Sequence, residues 1–316
     1  MKTKFLVWTP FTGLGLYGGF RGNRWLKNRI KIFKQFVIPS MLNQTDTDFI
    51  FWVAWRPEER ENPHVKELLE YMQKLHPTVF TYGGLCFYDD KFEDAEAREK
   101  LSVALMRTLP DLMDTTSDCD EVQVLLLPSD DLYASATVAS IKKIFKETKK
   151  QAVGFTHGYI CNYHTKEILE YNPNTNPPFF AARFPRSTFF DPAKHLKYIS
   201  TKRDEGKYKK GTPYPSHEWI PNAFDMAFFN ERGFMVGTHG ENISTHFNHP
   251  FGGRRIEGAE KLELQARFGI NHSPVLKIPF SLRKWFMRQL PYGWQRKLRY
   301  VIGEKCVHRL YTFLRS

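Results

Sequence analysis

The chain has 316 residues, 41% hydrophobic and 25% charged, the size and balance of one large globular α/β domain with an appendage. Its four cysteines stand far apart with no C-x-x-C pair, which excludes a zinc ribbon or a disulfide framework, and no window approaches the roughly 20 apolar residues of a spanning helix. The net charge of +12 is uneven: residues 277–316 hold ten Lys and Arg against Glu304, so they carry 10 − 1 = +9 and leave 12 − 9 = +3 for the rest.

"MKTKFLVWTPF" has too short an apolar run for a signal peptide and predicts a strand over 4–11. Together with the sparse cysteines this points to a reducing, cytoplasmic setting. The glycine-rich stretch "TGLGLYGGFRGN" follows. It contains a literal G-x-G-x-x-G at Gly13, Gly15 and Gly18, but positions 33–40 lack the acid that a dinucleotide fold needs. The stretch reads instead as a loop over a ligand, with Arg21, Arg24 and Arg29 available for phosphate. "RWLKNRIKIFKQFVIPSMLNQ" has helical spacing, with Leu26, Ile30, Phe33 and Val37 on one face and Pro39 as a break or restart.

Further along, "DFIFWVAW" (48–55) reads as a buried strand, 64–75 as a helix, "TVFTYG" as a short strand and 93–109 as a helix. The strand "EVQVLLL" and a helix over 134–148 come next, then the strand-like "QAVGFTHGYICNY". This β-α-β-α order predicts a largely parallel sheet flanked by helices, whose ligands sit beyond the C-terminal strand ends. Residues 1–149 would be the nucleotide-binding half. Residues 150–276 would be an acceptor half of loops and short strands, and 277–316 a separate helical segment.

"VLLLPSDDLY" (124–133) places Asp130 and Asp131 at such a strand end. Two carboxylates on a turn supply the hard oxygens that Mg²⁺ or Mn²⁺ takes beside substrate phosphates. Asp is also favoured near helix N-termini, so the same pair could cap the 134–148 helix. Histidines cluster later, at His217 beside Glu218 and Trp219, and at His239, His246 and His249. Imidazoles near a carboxylate can ligate a metal or move a proton, and each alone is compatible with a structural role. The tail mixes Arg and Lys with Trp, Phe, Leu and Tyr. That composition suits an anionic membrane surface, with nucleic acid binding or a helix docked on the protein as the competing readings.

Taken together, "RWLKNRIKIFKQFVIPSMLNQTDTDFIFWVAW", "VLLLPSDDLY" and "GTHGENIS" resemble bacterial rhamnosyltransferases of the GT-A-type glycosyltransferases, over roughly residues 1–250. In those proteins an arginine-bearing helix runs into "PS…Q", an aspartate-rich D-x-D-type motif follows a strand, and a late "HG.N.S" signature appears. Pro128 stands here where relatives carry the leading acid of that motif.

The resemblance implies a GT-A-like (Rossmann-like) mixed fold, with a mostly parallel sheet flanked by helices, to which the composition of 277–316 adds a basic helical C-terminal tail. It implies transfer of a sugar, rhamnose included, from a UDP-, dTDP- or GDP-linked donor to a glycan or lipid-linked acceptor, and no nucleic acid partner. The alternatives are a non-catalytic nucleotide or sugar binder of the same fold, and a basic membrane- or nucleic-acid-associated protein. Asp131, with Asp130 and His239, would hold Mn²⁺ or Mg²⁺. Thr9, Arg29, Arg98, Asp130 and Asp131 would contact the donor. Glu218 would serve as base beside His217, with Asp225 in reserve and Trp219 stacked on a sugar face.

Overall fold

The computed structural model describes residues 1–11, 23–55, 61–75, 78–81, 113–174, 177–191, 221, 224–240, 242, 247 and 251–278. The chain divides into two units, Met1–Leu276 and Lys277–Ser316. The first is described here.

Its strands in chain order are β1 (Thr3–Pro10), β2 (Ile50–Ala54), β3 (Thr78–Thr81), β4 (Glu121–Leu126), β5 (Leu132–Tyr133), β6 (Ala152–Phe155), β7 (Gly158–Asn162), β8 (Glu167–Tyr171), β9 (Phe180–Pro185), β10 (Met226–Phe229), β11 (Phe234–Thr238) and β12 (Gly252–Ile256). The helices include α1 (Asn23–Ile32), α2 (Ile38–Leu42), α3 (Pro63–Gln73), α4 (Thr137–Glu147), the single turn α5 (Arg186–Phe189) and α6 (Gly258–Arg267).

Seven strands form one sheet in the order β10-β6-β9-β4-β1-β2-β3. The pairs β10–β6, β4–β1, β1–β2 and β2–β3 are parallel, and only β9 runs against its neighbours. The expected mixed, mostly parallel sheet is therefore present. Phe5 to Thr9 of β1 are all buried, as a strand covered on both faces of such a sheet requires. β1 has β2 on one side and β4 on the other. Strand order thus reverses between β1 and β4, the topological switch point at which open parallel sheets bind their ligands.

A second sheet, β12-β8-β7-β11-β5, was not anticipated. Residues 150–276 read as loops and short strands because their runs are brief and broken by Pro, His and Gly. Their strands are four to six residues long, and the apolar face needed to recognise them is shared between two sheets. Between the sheets, Phe179 stacks on Phe234 with ring centroids 3.9 Å apart, and the Tyr133 and Phe155 rings, 5.6 Å from each other, pack beside them. Each such ring contributes about 1.5–3 kcal/mol by leaving water.

The first long helix is not uniform. Between α1 and α2, residues Phe33–Val37 form a π-helical turn, and Pro39 stands at the start of α2. Proline has no N–H and crowds the carbonyl four residues earlier. That carbonyl, of Gln35, accepts the Ser273 hydroxyl at 2.6 Å instead. Phe36 of the π turn stacks on Tyr163 with centroids 3.8 Å apart. The predicted 93–109 helix and the glycine-rich stretch lie outside the described residues.

Candidate active site at the strand-end carboxylates

Asp130 and Asp131 lie between β4 of the large sheet and β5 of the small one, where the chain crosses from one sheet to the other. The backbone before them is fixed to β1 by the Leu127 N–H, which donates to the Trp8 carbonyl at 2.8 Å. Both carboxylates thus sit at the C-terminal end of β4, beside the switch point.

Neither carboxylate caps a helix. The N-cap of α4 is Ala136, which has no side-chain acceptor. Gln44 supplies one from a distance: its Oε1 accepts the Val138 N–H at 3.1 Å, while its Nε2 donates to the Ala134 carbonyl at 2.9 Å. Ser40 Oγ accepts the Tyr133 N–H at 3.3 Å. The "PS…Q" residues of α2 and its C-terminal exit therefore hold the backbone that follows the carboxylates.

Asp130 is the hub. Arg29 Nη1 lies 2.5 Å from Asp130 Oδ2, and His239 Nε2 lies 2.9 Å from the same oxygen. Asn242 Nδ2 donates to it at 3.2 Å, and the Tyr163 hydroxyl donates to the Asp130 carbonyl at 2.9 Å. The Arg29 side chain is 2% exposed, that of His239 0% and that of Asp130 16%. Burial alone would raise the Asp130 carboxyl, but the Arg29 guanidinium and the His239 hydrogen bond outweigh it and hold the carboxyl well below its usual range.

Asp131 is different. Its Oδ1 accepts the Gly237 N–H at 2.9 Å, and the residue is buried. Burial, reinforced by the neighbouring Asp130 charge, pushes its carboxyl well above the usual range. Gly237 has to be glycine, because a Cβ there would stand 2.1 Å from the Asp130 carbonyl oxygen and 2.3 Å from the Tyr163 hydroxyl.

The "HG.N.S" residues complete the centre. Gly240 takes a φ of 76°, which turns the chain so that Asn242 folds back on its own strand. Asn242 Oδ1 accepts the His239 N–H at 2.8 Å, and its Nδ2 donates to the Gly237 carbonyl at 2.6 Å. Asn242, Tyr163, Ser40 and Gln44 were not among the predicted site residues. Asn242 and the "PS…Q" pair had their signal in the motifs that carry the family resemblance. Tyr163 had none.

This geometry places several of the expected site residues. Thr9, expected to touch the donor, is completely buried in β1. Arg29, expected at a donor phosphate, is paired with Asp130. Asp131, Asp130 and His239 do come together, but not as converging metal ligands. Asp130 Oδ2 already faces three donors, His239 Nε2 points at that oxygen, and Asp131 Oδ1 is bound to a backbone N–H. Among the described residues no group of three His, Cys, Asp or Glu side chains is arranged to hold a metal ion. The set does not fit the expected Mn²⁺ or Mg²⁺. Asp225 is an exposed partner of Lys150, at 2.6 Å. His217, Glu218, Trp219, Arg98, His246 and His249 lie outside the described residues, as do tail residues 279–316.

Residues 21–84 match the family model described as "Putative rhamnosyl transferase". The matched segment is a minor part of the chain. It includes α1, Arg29, Ser40 and Gln44, so the matched stretch supplies three of the side chains that hold the carboxylate turn. No curated protein matches the sequence. Among solved structures, S. aureus TarS 1-349 aligns at 12% identity and a TM-score of 0.39, over 74% of this chain and 60% of that one. The same TarS 1-349 in complex with UDP-GlcNAc aligns at 11% identity and a TM-score of 0.36, over 76% of this chain and 59% of that one. The chain thus spans less than two thirds of the TarS chains it resembles.

Proposed function

We propose that this chain is a glycosyltransferase that moves a sugar from a nucleotide diphosphate donor to an acceptor hydroxyl. One observation carries the reading: an ionised carboxylate, Asp130, is fixed at the switch point between β1 and β4, where a parallel sheet presents its ligand crevice. The rhamnosyl transferase match over residues 21–84 supports the same class and makes rhamnose a donor sugar to test. Asp130 keeps one oxygen, Oδ1, outside its contacts with Arg29, His239 and Asn242, so it is suited to accept a hydroxyl of the donor.

In the transfer, Glu218 takes the proton of the acceptor hydroxyl and His217 supports it. The acceptor oxygen attacks the anomeric carbon, the bond from that carbon to the phosphate oxygen breaks, and the nucleoside diphosphate leaves with the electron pair. The acceptor is a glycan or a lipid-linked sugar. The basic aromatic segment 277–316 would place the enzyme on an anionic membrane surface. No helix among the described residues is long and apolar enough to cross a membrane.

A thermal-shift screen of UDP-, dTDP- and GDP-sugars, dTDP-rhamnose included, identifies the donor. Release of the nucleoside diphosphate on adding acceptor then measures transfer. A chain that neither binds nor consumes any member of the series is not a glycosyltransferase. For the tail, pelleting with phosphatidylglycerol vesicles should weaken with added salt and disappear on truncation after Leu276. Undiminished pelleting of the truncated chain would remove the membrane role.

A further inference from the structure

The site's cation is built into the protein, and we infer that the donor is bound without a divalent metal ion, Arg29 supplying the positive charge that balances Asp130. This rests on the glycosyltransferase reading above. A hard divalent ion needs several oxygen ligands with net negative charge around it. The turn offers little of either. Pro128 has no side-chain oxygen. Asp130 Oδ2 is taken by Arg29 at 2.5 Å, His239 at 2.9 Å and Asn242 at 3.2 Å. Asp131 is buried and holds the Gly237 N–H.

Arg29 is also not easily displaced. Its side chain is 2% exposed, and its guanidinium lies 5.3 Å from the centre of the Trp25 ring. An arriving ion would have to strand a buried guanidinium or share one carboxylate with it, and both are unfavourable. Arg29 and Asp130 together carry no net charge, which weakens the pull of the hub on a second cation. Since Arg29 is covered, it acts on the donor through Asp130 and is a positioning residue.

The test titrates UDP, dTDP and GDP into the full chain by calorimetry, once with EDTA and once with Mn²⁺. Affinities that agree within about twofold, with no further loss of the Mn²⁺ paramagnetic resonance signal when protein joins a Mn²⁺–nucleotide mixture, are the expected result. Binding of any of them that is tighter by about tenfold or more in Mn²⁺, with that signal quenched further by protein, overturns the inference and leaves the glycosyltransferase reading standing. If no nucleotide binds under either condition, the glycosyltransferase reading fails, and the inference fails with it. Arg29→Met should acquire Mn²⁺ binding that Arg29→Met/Asp130→Asn loses. A folded Arg29→Met that gains none counts against Arg29 as the excluding charge. If Arg29→Met does not fold, the wild-type titrations decide.

Discussion

Arg29 and Asp130 form a buried ion pair, with Nη1 2.5 Å from Oδ2, and the hydrogen bonds from His239 and Asn242 converge on that same oxygen. One helix that packs on the large sheet and one turn that leaves it are thereby fastened through a single atom. Removing either partner leaves a buried charge alone, which costs about 3–5 kcal/mol. Arg29→Met and Asp130→Asn should each lower the urea midpoint accordingly, and the double variant should lose clearly less than the sum. Strict additivity in the double-mutant cycle would show that the pair is not coupled.

Gly237 offers a sharper steric test. Alanine at this position drives a methyl into the Asp130 carbonyl and the Tyr163 hydroxyl, so Gly237→Ala should cost about 3 kcal/mol and disturb the turn. Gly258 also resists alanine, but only through its φ of +56°, since nothing lies within 4 Å of its added Cβ. Gly258→Ala should cost about 1 kcal/mol. Equal losses in chemical denaturation would contradict this account of Gly237.

Gln44 caps a helix to which it does not belong. Gln44→Ala removes the acceptor for the Val138 N–H and the donor to the Ala134 carbonyl, both buried, for a loss of about 1–3 kcal/mol. Hydrogen exchange should locate it: the Val138 amide should lose protection in Gln44→Ala and keep it in Ser40→Ala. Unchanged Val138 exchange in Gln44→Ala would disprove the capping role.

Alkaline pH should loosen the small sheet. Burial pushes the Cys161 thiol up to about 12, above the value near 8.5 of a free cysteine. A raised folded pKa favours the protonated form, so this contribution is complete below about pH 8.5 and is lost as pH climbs towards 12. Burial also raises the Tyr133 and Tyr163 hydroxyls, which adds a loss in the same direction at still higher pH. The urea midpoint should fall between about pH 9 and 11, less steeply in Cys161→Ala. Rapid alkylation of Cys161 in the native protein at about pH 9 would refute its burial.

The large sheet was legible because its central strands announce themselves. Phe5 to Trp8 and Phe49 to Trp55 are continuous apolar runs, the composition that strands covered on both faces demand. The carboxylate turn was legible as a place, because a strand end followed by two acids is a local pattern. Its chemistry was not. Whether Asp130 faces a metal ion or a guanidinium depends on Arg29, which no local spacing connects to it. The π turn was equally hidden, since Pro39 signals a break but not that the break opens the preceding turn. Gly237 carried no signal at all: the need for it arises only when the Asp130 carbonyl and the Tyr163 hydroxyl close on it.

The hub around Asp130 also dictates an order of events during synthesis. Arg29 emerges from the ribosome early, long before a carboxylate exists to receive it, and Asp130 in turn precedes His239 and Asn242. Contacts between segments this far apart in the chain form late and slowly. A nascent chain halted before Asn242 can build the parallel strands around β1, yet its carboxylate hub stays open. The hub closes only when the small sheet's last contributions to it arrive, so a partial product exposes an unfinished cluster.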